Sequence, residues 1–306
     1  MQVDIQQRPK TFVVLNPVAG TTEAAVVREK IQSKLEAHDI PFEIYETTSE
    51  SDPKQKVRDA VRRGFKLFLA TGGDGTLSSV ASGLVDTHLP MVIIPTGTWN
   101  ALARYLDIPL QFDQALDLVF QDHTIKTIDV MQVKNEFYLL SVSAGLSSRF
   151  MLNVKREEKR RFGKLIELWK GFNRMMEFPS FRFDVRIDGK LTTFRASEIM
   201  VANVRTLALK SLELDTDIHM DDGKLNVCRI YAQSLSDYLS LAISMLTGNQ
   251  EKSWNVFCME ALQEVEIRSN RNLHVQGDGD VIGRLPVTVK IRPKAVSIVT
   301  PPHVEL

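Results

Sequence analysis

The chain contains little of what several classes of protein depend on. Among its 306 residues there are only two cysteines, Cys228 and Cys258, both in apolar surroundings and without the spacing of metal ligands. We therefore expect two core thiols in a reducing compartment rather than a disulfide. No apolar run approaches the roughly 20 residues of a membrane-spanning helix, so we expect no transmembrane segment.

A net charge is also absent, because 38 lysines and arginines balance 38 aspartates and glutamates. Without a global positive field, nucleic acid is not expected as a partner. The opening residues, MQVDIQQRPK, are polar and lack the apolar core of a signal peptide. These absences predict a cytoplasmic protein that is at most peripheral to a membrane.

The first 130 residues contain a regular alternation of strand-like and helix-like patterns. The strand-like apolar runs are residues 11–15, 42–45, 65–70 and 91–94, and apolar positions at helical spacing follow each of them. This alternation predicts a parallel sheet covered by helices, in which ligands bind beyond the carboxyl ends of the strands.

Two of the strand-to-helix turns combine glycine with threonine. They read GGDGT (residues 72–76) and PTGTWN (residues 95–100). Glycines at such a turn let backbone N–H groups approach phosphate oxygens, and the dipole of the following helix favours an anion. A tight turn is the alternative for either segment alone. Two such turns on adjacent strands predict one site for a polyanion such as a nucleotide.

These turns lie within TGGDGTLSSVASGL and IPTGTWNALARYLDIP, which resemble the diacylglycerol kinase catalytic-domain family of lipid, sphingosine and ceramide kinases. The resemblance runs from Asn16-Pro17 to the tail. It implies a three-layer α/β nucleotide-binding domain, residues 1–130 completed by 292–306. It also implies a β-rich, β-sandwich-like lipid-substrate domain, residues 131–291. ATP and the lipid are then expected between them.

The same resemblance implies an ATP site and its metal. The expected ATP contacts are Asn16, Thr48, Gly72, Gly73, Asp74, Gly75, Thr76, Leu77, Gly97, Thr98 and Asn100. Asp74 and Asp129 are expected to organise Mg²⁺. In HMDDGKLNVCRI, a structural Mg²⁺ or Ca²⁺ is expected on Asp222, flanked by the carbonyls of His219 and Lys224. A plain Asp-Gly turn is the alternative for that segment.

Near the C-terminus, HVQGDGDVIGRLPVTVKIRPKAVSIVTPP resembles the Asp-Gly-acid motif of the family. Asp278 then matches the general base, and Asp280 beside it is a second catalytic candidate. A carboxylate next to a lipid hydroxyl can take its proton as the oxygen attacks the γ-phosphoryl group. A hairpin turn is the alternative for this segment taken alone.

The chain departs from the family pattern in two places. Ser78-Ser79 stand where many relatives have Asn-Glu, and Ala101 stands where many have aspartate. The Asn-Ala-Leu-Ala form at the second place resembles sphingosine kinases. Because fewer acids are available as metal ligands, a weakly active kinase or a non-catalytic lipid or nucleotide sensor is an alternative. NAD kinase, which also uses a Gly-Gly-Asp-Gly-Thr turn, is a further alternative.

A basic cluster at residues 155–164, KREEKRRFGK, holds six basic and two acidic residues and precedes apolar positions at helical spacing. It predicts peripheral contact with an anionic membrane surface. A solvated amphipathic helix packed on its own domain is the alternative. The identity of the lipid and the formation of a homodimer are left open.

Overall fold

The computed structural model of the chain describes residues 4, 7–19, 24–147, 180–204, 219–231 and 255–302. The chain divides into two compact units. The first unit comprises Met1–Val130 and Arg292–Leu306, and the second comprises Met131–Ile291.

The first unit alternates strands and helices, as the hydrophobic patterns predict. Its elements are β1 (Thr11–Leu15), α1 (Ala24–Ala37), β2 (Phe42–Glu46), α2 (Pro53–Arg62), β3 (Leu67–Gly72), α3 (Asp74–Leu84), β4 (Pro90–Pro95), α4 (Ala101–Tyr105), α5 (Phe112–Asp117), a 3-10 turn (Leu118–Phe120) and the start of β5 (Thr124–Val133). Asp52 caps α2 by accepting the Gln55 N–H at 3.0 Å, and Pro53 takes the first helical position.

A parallel sheet with the strand order β2-β1-β3-β4 forms the centre of this unit. Every residue of β1 and β3 is buried, as is typical of parallel strands covered on both faces. The last strand of the chain, β16 (Val287–Thr300), adds to this sheet by pairing parallel with β4 through Ser297 and Ile298. The expected return of the C-terminal segment to the first domain is therefore present.

The described residues of the second unit form mainly antiparallel strands. They are β6 (Glu136–Tyr138), β7 (Ser141–Gly145), β8 (Phe181–Ile187), β9 (Lys190–Ala196), β10 (Glu198–Ala202), β11 (Leu225–Tyr231), β12 (Asn255–Ala261), β13 (Glu264–Ser269), β14 (His274–Gly277) and β15 (Asp280–Arg284). One sheet has the order β12-β11-β10-β7-β14-β15. The other side of the core is formed by β9, β8, β13 and residues 287–290 of β16.

Apolar side chains from both sets of strands form one core in this unit. Members from the six-stranded sheet include Val142, Ile199, Val201, Val227 and Val275, and members from the other strands include Phe183, Val185, Val265, Ile267 and Val289. Because side chains alternate along a strand, each sheet offers one apolar face to this core. The predicted β-sandwich-like fold is confirmed.

The two cysteines pair across β11 and β12, so the expectation of free thiols is wrong. Cys228 lies directly opposite Cys258 in the antiparallel register, and their sulfur atoms form a disulfide. Directly opposite residues of an antiparallel pair place their side chains on the same face with close Cβ atoms. Both cysteines are buried, but Phe257 beside Cys258 is exposed, so the apolar neighbours that suggested core thiols carry no information about this register.

A helix that spans a bilayer needs about 20 predominantly apolar residues. Within the described ranges, no helix is both long and apolar enough to cross a membrane. The basic cluster at residues 155–164 lies outside the described residues.

Candidate functional site

Three strand-to-helix turns lie side by side in the first unit. Strands β1, β3 and β4 are neighbours in the parallel sheet, and their carboxyl ends share one edge. Asn16 follows β1, Gly73 follows β3 and Thr96 follows β4. The sequence predicted adjacent glycine turns, and the strand order brings them together.

Side-chain hydrogen bonds connect these turns. The Nδ2 of Asn16 donates to the Oγ1 of Thr76 at 3.0 Å, linking the turn after β1 to the start of α3. The backbone N–H of Leu102 donates to the Oδ1 of Asp74 at 3.2 Å, linking α4 to the same helix start. Asn16, Asp74 and Thr76 therefore belong to one cluster.

The two glycine turns also touch backbone to backbone. The N–H of Thr96 donates to the carbonyl of Gly72 at 3.0 Å. A Cβ built on Gly97 would lie 2.6 Å from the Cα of Gly73, which is closer than real Cβ contacts come. Glycine at position 97 is therefore required by the close approach of the two turns.

The start of α3 faces open space. A Cβ built on Gly75 would meet no heavy atom within 4 Å, although Gly75 lies in the first turn of the helix. Gly73, the residue before α3, provides no side-chain cap. The Thr76 N–H donates to the Gly73 carbonyl at 2.9 Å, so the N–H groups of Asp74 and Gly75 are the ones that precede the helical hydrogen bonds and suit a phosphate oxygen.

Asn100 contributes an acceptor without a partner to this cluster. The residue is 7% exposed and has a left-handed backbone with φ of 49°. Its Nδ2 donates to the carbonyl of Gly97 at 2.9 Å, while its Oδ1 is buried with no partner among the described residues. A buried, unpaired amide oxygen suits a cation or a hydrogen-bond donor of a ligand.

The remaining predicted residues of the first unit have different surroundings. Thr98 is exposed in the turn after β4, and Leu77 is buried in α3. Thr48 is exposed after β2, where its backbone N–H donates to the Oγ of Ser51 at 2.6 Å. The Oδ1 of the buried Asp129 accepts the backbone N–H of Lys294 at 2.7 Å. The proposed contacts of these residues with ATP or Mg²⁺ stay predictions.

The two departures from the family pattern lie on α3 and α4. Ser78 is buried, and the Oγ of Ser79 donates to the carbonyl of Gly75 at 2.9 Å along α3. Ala101 is the first residue of α4 and follows Asn100. A metal is therefore expected to depend on oxygen atoms other than those of the two missing acids.

In the second unit, Asp278 and Gly279 form the tip of the β14–β15 hairpin. Their φ angles of 46° and 91° are both positive, and Gly277 pairs with Asp280 across the turn. Two consecutive positive φ values are the requirement of a type I′ turn, for which Asp-Gly is a favoured sequence. The segment therefore forms the hairpin turn that was the alternative reading of the motif. The turn does not prevent its acids from also having a catalytic role.

The carboxylate of Asp278 binds three consecutive backbone N–H groups. Leu139 donates to Oδ2 at 2.7 Å, and Leu140 and Ser141 donate to Oδ1 at 2.9 and 3.0 Å. The N–H of Asp278 in turn donates to the carbonyl of Ser141 at 3.0 Å. These contacts hold the carboxylate in one orientation relative to the 139–141 segment.

Tyr138 is a neighbour of this carboxylate that the sequence did not indicate. A Cβ built on Gly277 would lie 2.5 Å from the Cδ1 and Cε1 of Tyr138, so the ring packs directly on the hairpin. Burial raises the pKa of Tyr138 to about 12, and the negative charges of Glu136, Asp278 and Asp280 add to the increase. The phenol is therefore protonated at neutral pH and cannot serve as the base there.

Asp222 is surrounded by backbone donors in the turn before β11. Its Oδ1 accepts the N–H of Lys224 at 2.8 Å, and its Oδ2 accepts the N–H of His219 at 3.3 Å. Gly223 has a φ of 74°. In the described part of the chain, no three histidine, cysteine, aspartate or glutamate side chains form a group suited to a metal ion. The structural metal on this turn stays a prediction.

The described chain thus combines an α/β unit, whose glycine turns meet at one sheet edge, with a β-sandwich-like unit. A family profile described as diacylglycerol kinase catalytic domain matches residues 10–133. A second, described as YegS C-terminal NAD kinase beta sandwich-like domain, matches residues 140–300. The chain belongs to the diacylglycerol kinase family.

Individual relatives are similar over most of their length. A diacylglycerol kinase of Bacillus subtilis is 24% identical over 278 residues, covering 90% of each chain. One of Staphylococcus haemolyticus is 24% identical over 292 residues, covering 94% of this chain and 87% of the relative. A crystal structure of a diacylglycerol kinase from Bacillus anthracis has a TM-score of 0.73 at 21% identity, covering 96% of this chain and 98% of that one. The structural likeness supports the fold.

Proposed function

We propose that this protein is an ATP- and Mg²⁺-dependent lipid kinase that moves the γ-phosphoryl group of ATP to a lipid hydroxyl. The observation that carries the proposal is the convergence of the turns after β1, β3 and β4. Asn16 is hydrogen-bonded to Thr76, and Gly73 lies against Gly97. Together the turns form one edge of the unit, with open space beside Gly75. Such an edge suits the phosphates of a nucleotide.

In this proposal the start of α3 binds the phosphates of ATP. The N–H groups of Asp74 and Gly75 donate to phosphate oxygens, and the absence of a Cβ at Gly75 keeps the path to them open. The Oγ1 of Thr76 accepts from Asn16, so its own proton is available for a phosphate oxygen. Thr98, exposed in the neighbouring turn, contributes a second hydroxyl donor.

The oxygen atoms near the start of α4 fit Mg²⁺ bound together with ATP. The Oδ1 of Asn100, for which the described residues offer no partner, and the carboxylate of Asp74 are hard oxygen donors. Asp129 is the further predicted acid. In proteins, Mg²⁺ usually has one or two carboxylates, phosphate oxygens and water as ligands rather than a cage of protein side chains. When bound, Mg²⁺ offsets the negative charge of the phosphates.

Asp278 is the proposed general base in the second unit. As the lipid oxygen forms its bond to the γ-phosphorus, the bond from that phosphorus to the bridging oxygen breaks and ADP leaves. The proton of the lipid hydroxyl moves to the Asp278 carboxylate. Backbone donors from residues 139–141 orient that carboxylate before the substrate arrives. Asp280 is the second candidate for the same task.

A product assay with radiolabelled γ-phosphate tests the proposed reaction. The purified protein is incubated with labelled ATP and either diacylglycerol, a sphingoid base, phosphatidylglycerol, a polyprenol or NAD, and products are separated by thin-layer chromatography. NAD is included because the profile matched by residues 140–300 is described as NAD kinase-like. We expect label in one lipid. Label in NAD alone would indicate an NAD kinase, and binding without any product would indicate a sensor.

Gly75→Val is expected to weaken Mg-ATP binding with little loss of folding. The new side chain has room, because nothing lies within 4 Å of its Cβ, but it stands in the proposed phosphate path. Calorimetric titration should show at least a roughly tenfold weaker affinity, about 1.4 kcal/mol. Gly75→Ala should give a smaller loss. Parental affinity in a folded Gly75→Val protein would place the phosphates elsewhere.

We also propose that the basic cluster at residues 155–164 contacts anionic membranes. Replacing Arg160, Arg161 and Lys164 with glutamine should weaken sedimentation with anionic vesicles, most clearly at low salt. Activity on a detergent-dispersed substrate should survive, since the change removes charge and leaves the residues proposed for ATP binding and catalysis unaltered. Equal vesicle binding by parent and variant would favour a helix that packs on its own domain.

A further inference from the structure

We propose that Asn203 is a positioning residue for Asp278, acting through the two peptide groups that join Leu139, Leu140 and Ser141. Asn203 lies just after β10 and is fully buried. The inference rests on the proposed role of Asp278 as the base. It adds a residue that lies outside every motif used to assign the site.

Asn203 donates twice to the 139–141 segment. Its Nδ2 donates to the carbonyl of Leu139 at 3.0 Å, and its backbone N–H donates to the carbonyl of Leu140 at 3.0 Å. One buried residue therefore holds both carbonyls, one through its side chain and one through its backbone.

The same two peptide groups donate to Asp278 with their other ends. The peptide that carries the Leu139 carbonyl also carries the Leu140 N–H, which donates to Oδ1 of Asp278 at 2.9 Å. The next peptide carries the Leu140 carbonyl and the Ser141 N–H, which donates to the same Oδ1 at 3.0 Å. Each peptide group therefore stands between Asn203 and the proposed base.

This arrangement affects both the orientation and the strength of the donors. A peptide group is planar, so holding its carbonyl also fixes the direction of its N–H. A hydrogen bond accepted by the carbonyl polarises the group and strengthens the bond that its N–H donates. Loss of the Asn203 amide would free the first peptide to rotate and leave a buried carbonyl without its donor.

A double-mutant cycle separates positioning from simple support of the fold. Asn203→Leu removes the amide at similar size, and Asn203→Ala is the second variant in case the larger side chain is not accommodated. Asn226→Leu is the matched control, because Asn226 is also buried in this unit and its Oδ1 has no partner among the described residues. Each change is made in the parental chain and in Asp278→Asn.

We expect Asn203→Leu to lower kcat about tenfold or more, with the KM for Mg-ATP within about twofold of the parent. In the Asp278→Asn background the same change should cost less than about twofold in kcat, because the group that it positions is already disabled. Asn226→Leu should keep the parental kcat. Thermal unfolding of each variant confirms that the folded protein is being assayed.

Two results would overturn the inference. One is a folded Asn203→Leu or Asn203→Ala protein with parental kcat. The other is an equal loss of kcat with and without Asp278, which would show that Asn203 acts independently of that carboxylate. Failure of the proposed function has different signatures: either the parental protein forms no labelled lipid in the product assay, or Asp278→Asn alone keeps the parental kcat whatever happens at Asn203.

Discussion

Asp278→Asn should lower kcat by about 10²–10⁴-fold, the usual contribution of general-base catalysis, while Mg-ATP binding persists. The amide keeps the size of the carboxylate, and its oxygen can still accept from Leu140 and Ser141. It cannot take the proton of a lipid hydroxyl at neutral pH. Steady-state turnover on the accepted lipid and calorimetric titration with Mg-ATP measure the two quantities separately.

The fold of this variant needs its own control. In place of Oδ2, the amide nitrogen would face the Leu139 N–H, so one backbone hydrogen bond is lost. Loss of a buried hydrogen-bond partner lowers the free energy of unfolding by about 1–3 kcal/mol, which chemical unfolding can measure. Near-parental turnover in the folded variant would contradict the assignment. Asp280→Asn would then be the next variant to assay.

Asp74→Asn should act mainly on the nucleotide, and we expect at least about tenfold weaker apparent affinity for Mg-ATP together with reduced turnover. The substituted amide can still accept from the Leu102 N–H, so the contact with α4 is retained. The Asp74→Asn variant loses the negative charge that the carboxylate offers to Mg²⁺. The dependence of affinity on Mg²⁺ concentration should therefore change, in contrast to Asp278→Asn.

Asp86→Asn is the matched control for Asp74→Asn. Asp86 is an acid of the same unit that pairs with Arg292 and takes no part in the three turns. Its substitution should leave the affinity for Mg-ATP at the parental value. Equal affinities of the parent and the Asp74→Asn variant would remove Asp74 from the metal site and make Asp129→Asn the next test.

The sequence was most informative where structure depends on local signals. Each buried parallel strand is an apolar run that ends in a turn rich in glycine, proline or asparagine, so β1 could be predicted with its observed bounds. Asp52 and Pro53 marked the start of α2 for the same reason. The adjacency of the glycine turns followed from the rule that neighbouring parallel strands end at one edge.

Contacts between distant segments could not be predicted in this way. The register that places Cys228 opposite Cys258 depends on two strands whose cysteines are 30 residues apart. The apolar run at residues 137–142 predicts one strand, but the chain forms β6 and β7 with a break between them. That break frees backbone N–H groups for Asp278, which lies more than 130 residues away in the sequence.

Tyr138 and Asn203 were missed for the same physical reason. The ring of Tyr138 is placed over Gly277 by the pairing of β7 with β14, and Asn203 reaches the 139–140 peptide by the pairing of β10 with β7. Neither residue stands in a motif, and an apolar-polar pattern treats both as ordinary strand positions. The small residue at position 277 beside the acidic motif was the one local signal of a close approach.

Every role proposed for these residues depends on the transfer of the γ-phosphoryl group of ATP to a lipid hydroxyl on this protein. A single-turnover experiment with excess protein tests it most directly, using ATP labelled at either the γ- or the α-phosphate and the lipid accepted in the product assay. We expect the γ-label to enter the lipid, the α-label to stay in ADP, and Asp278→Asn to slow the transfer by about 10²–10⁴-fold. Label released only as free phosphate or found only in NAD, or transfer at the parental rate by Asp278→Asn, would contradict it.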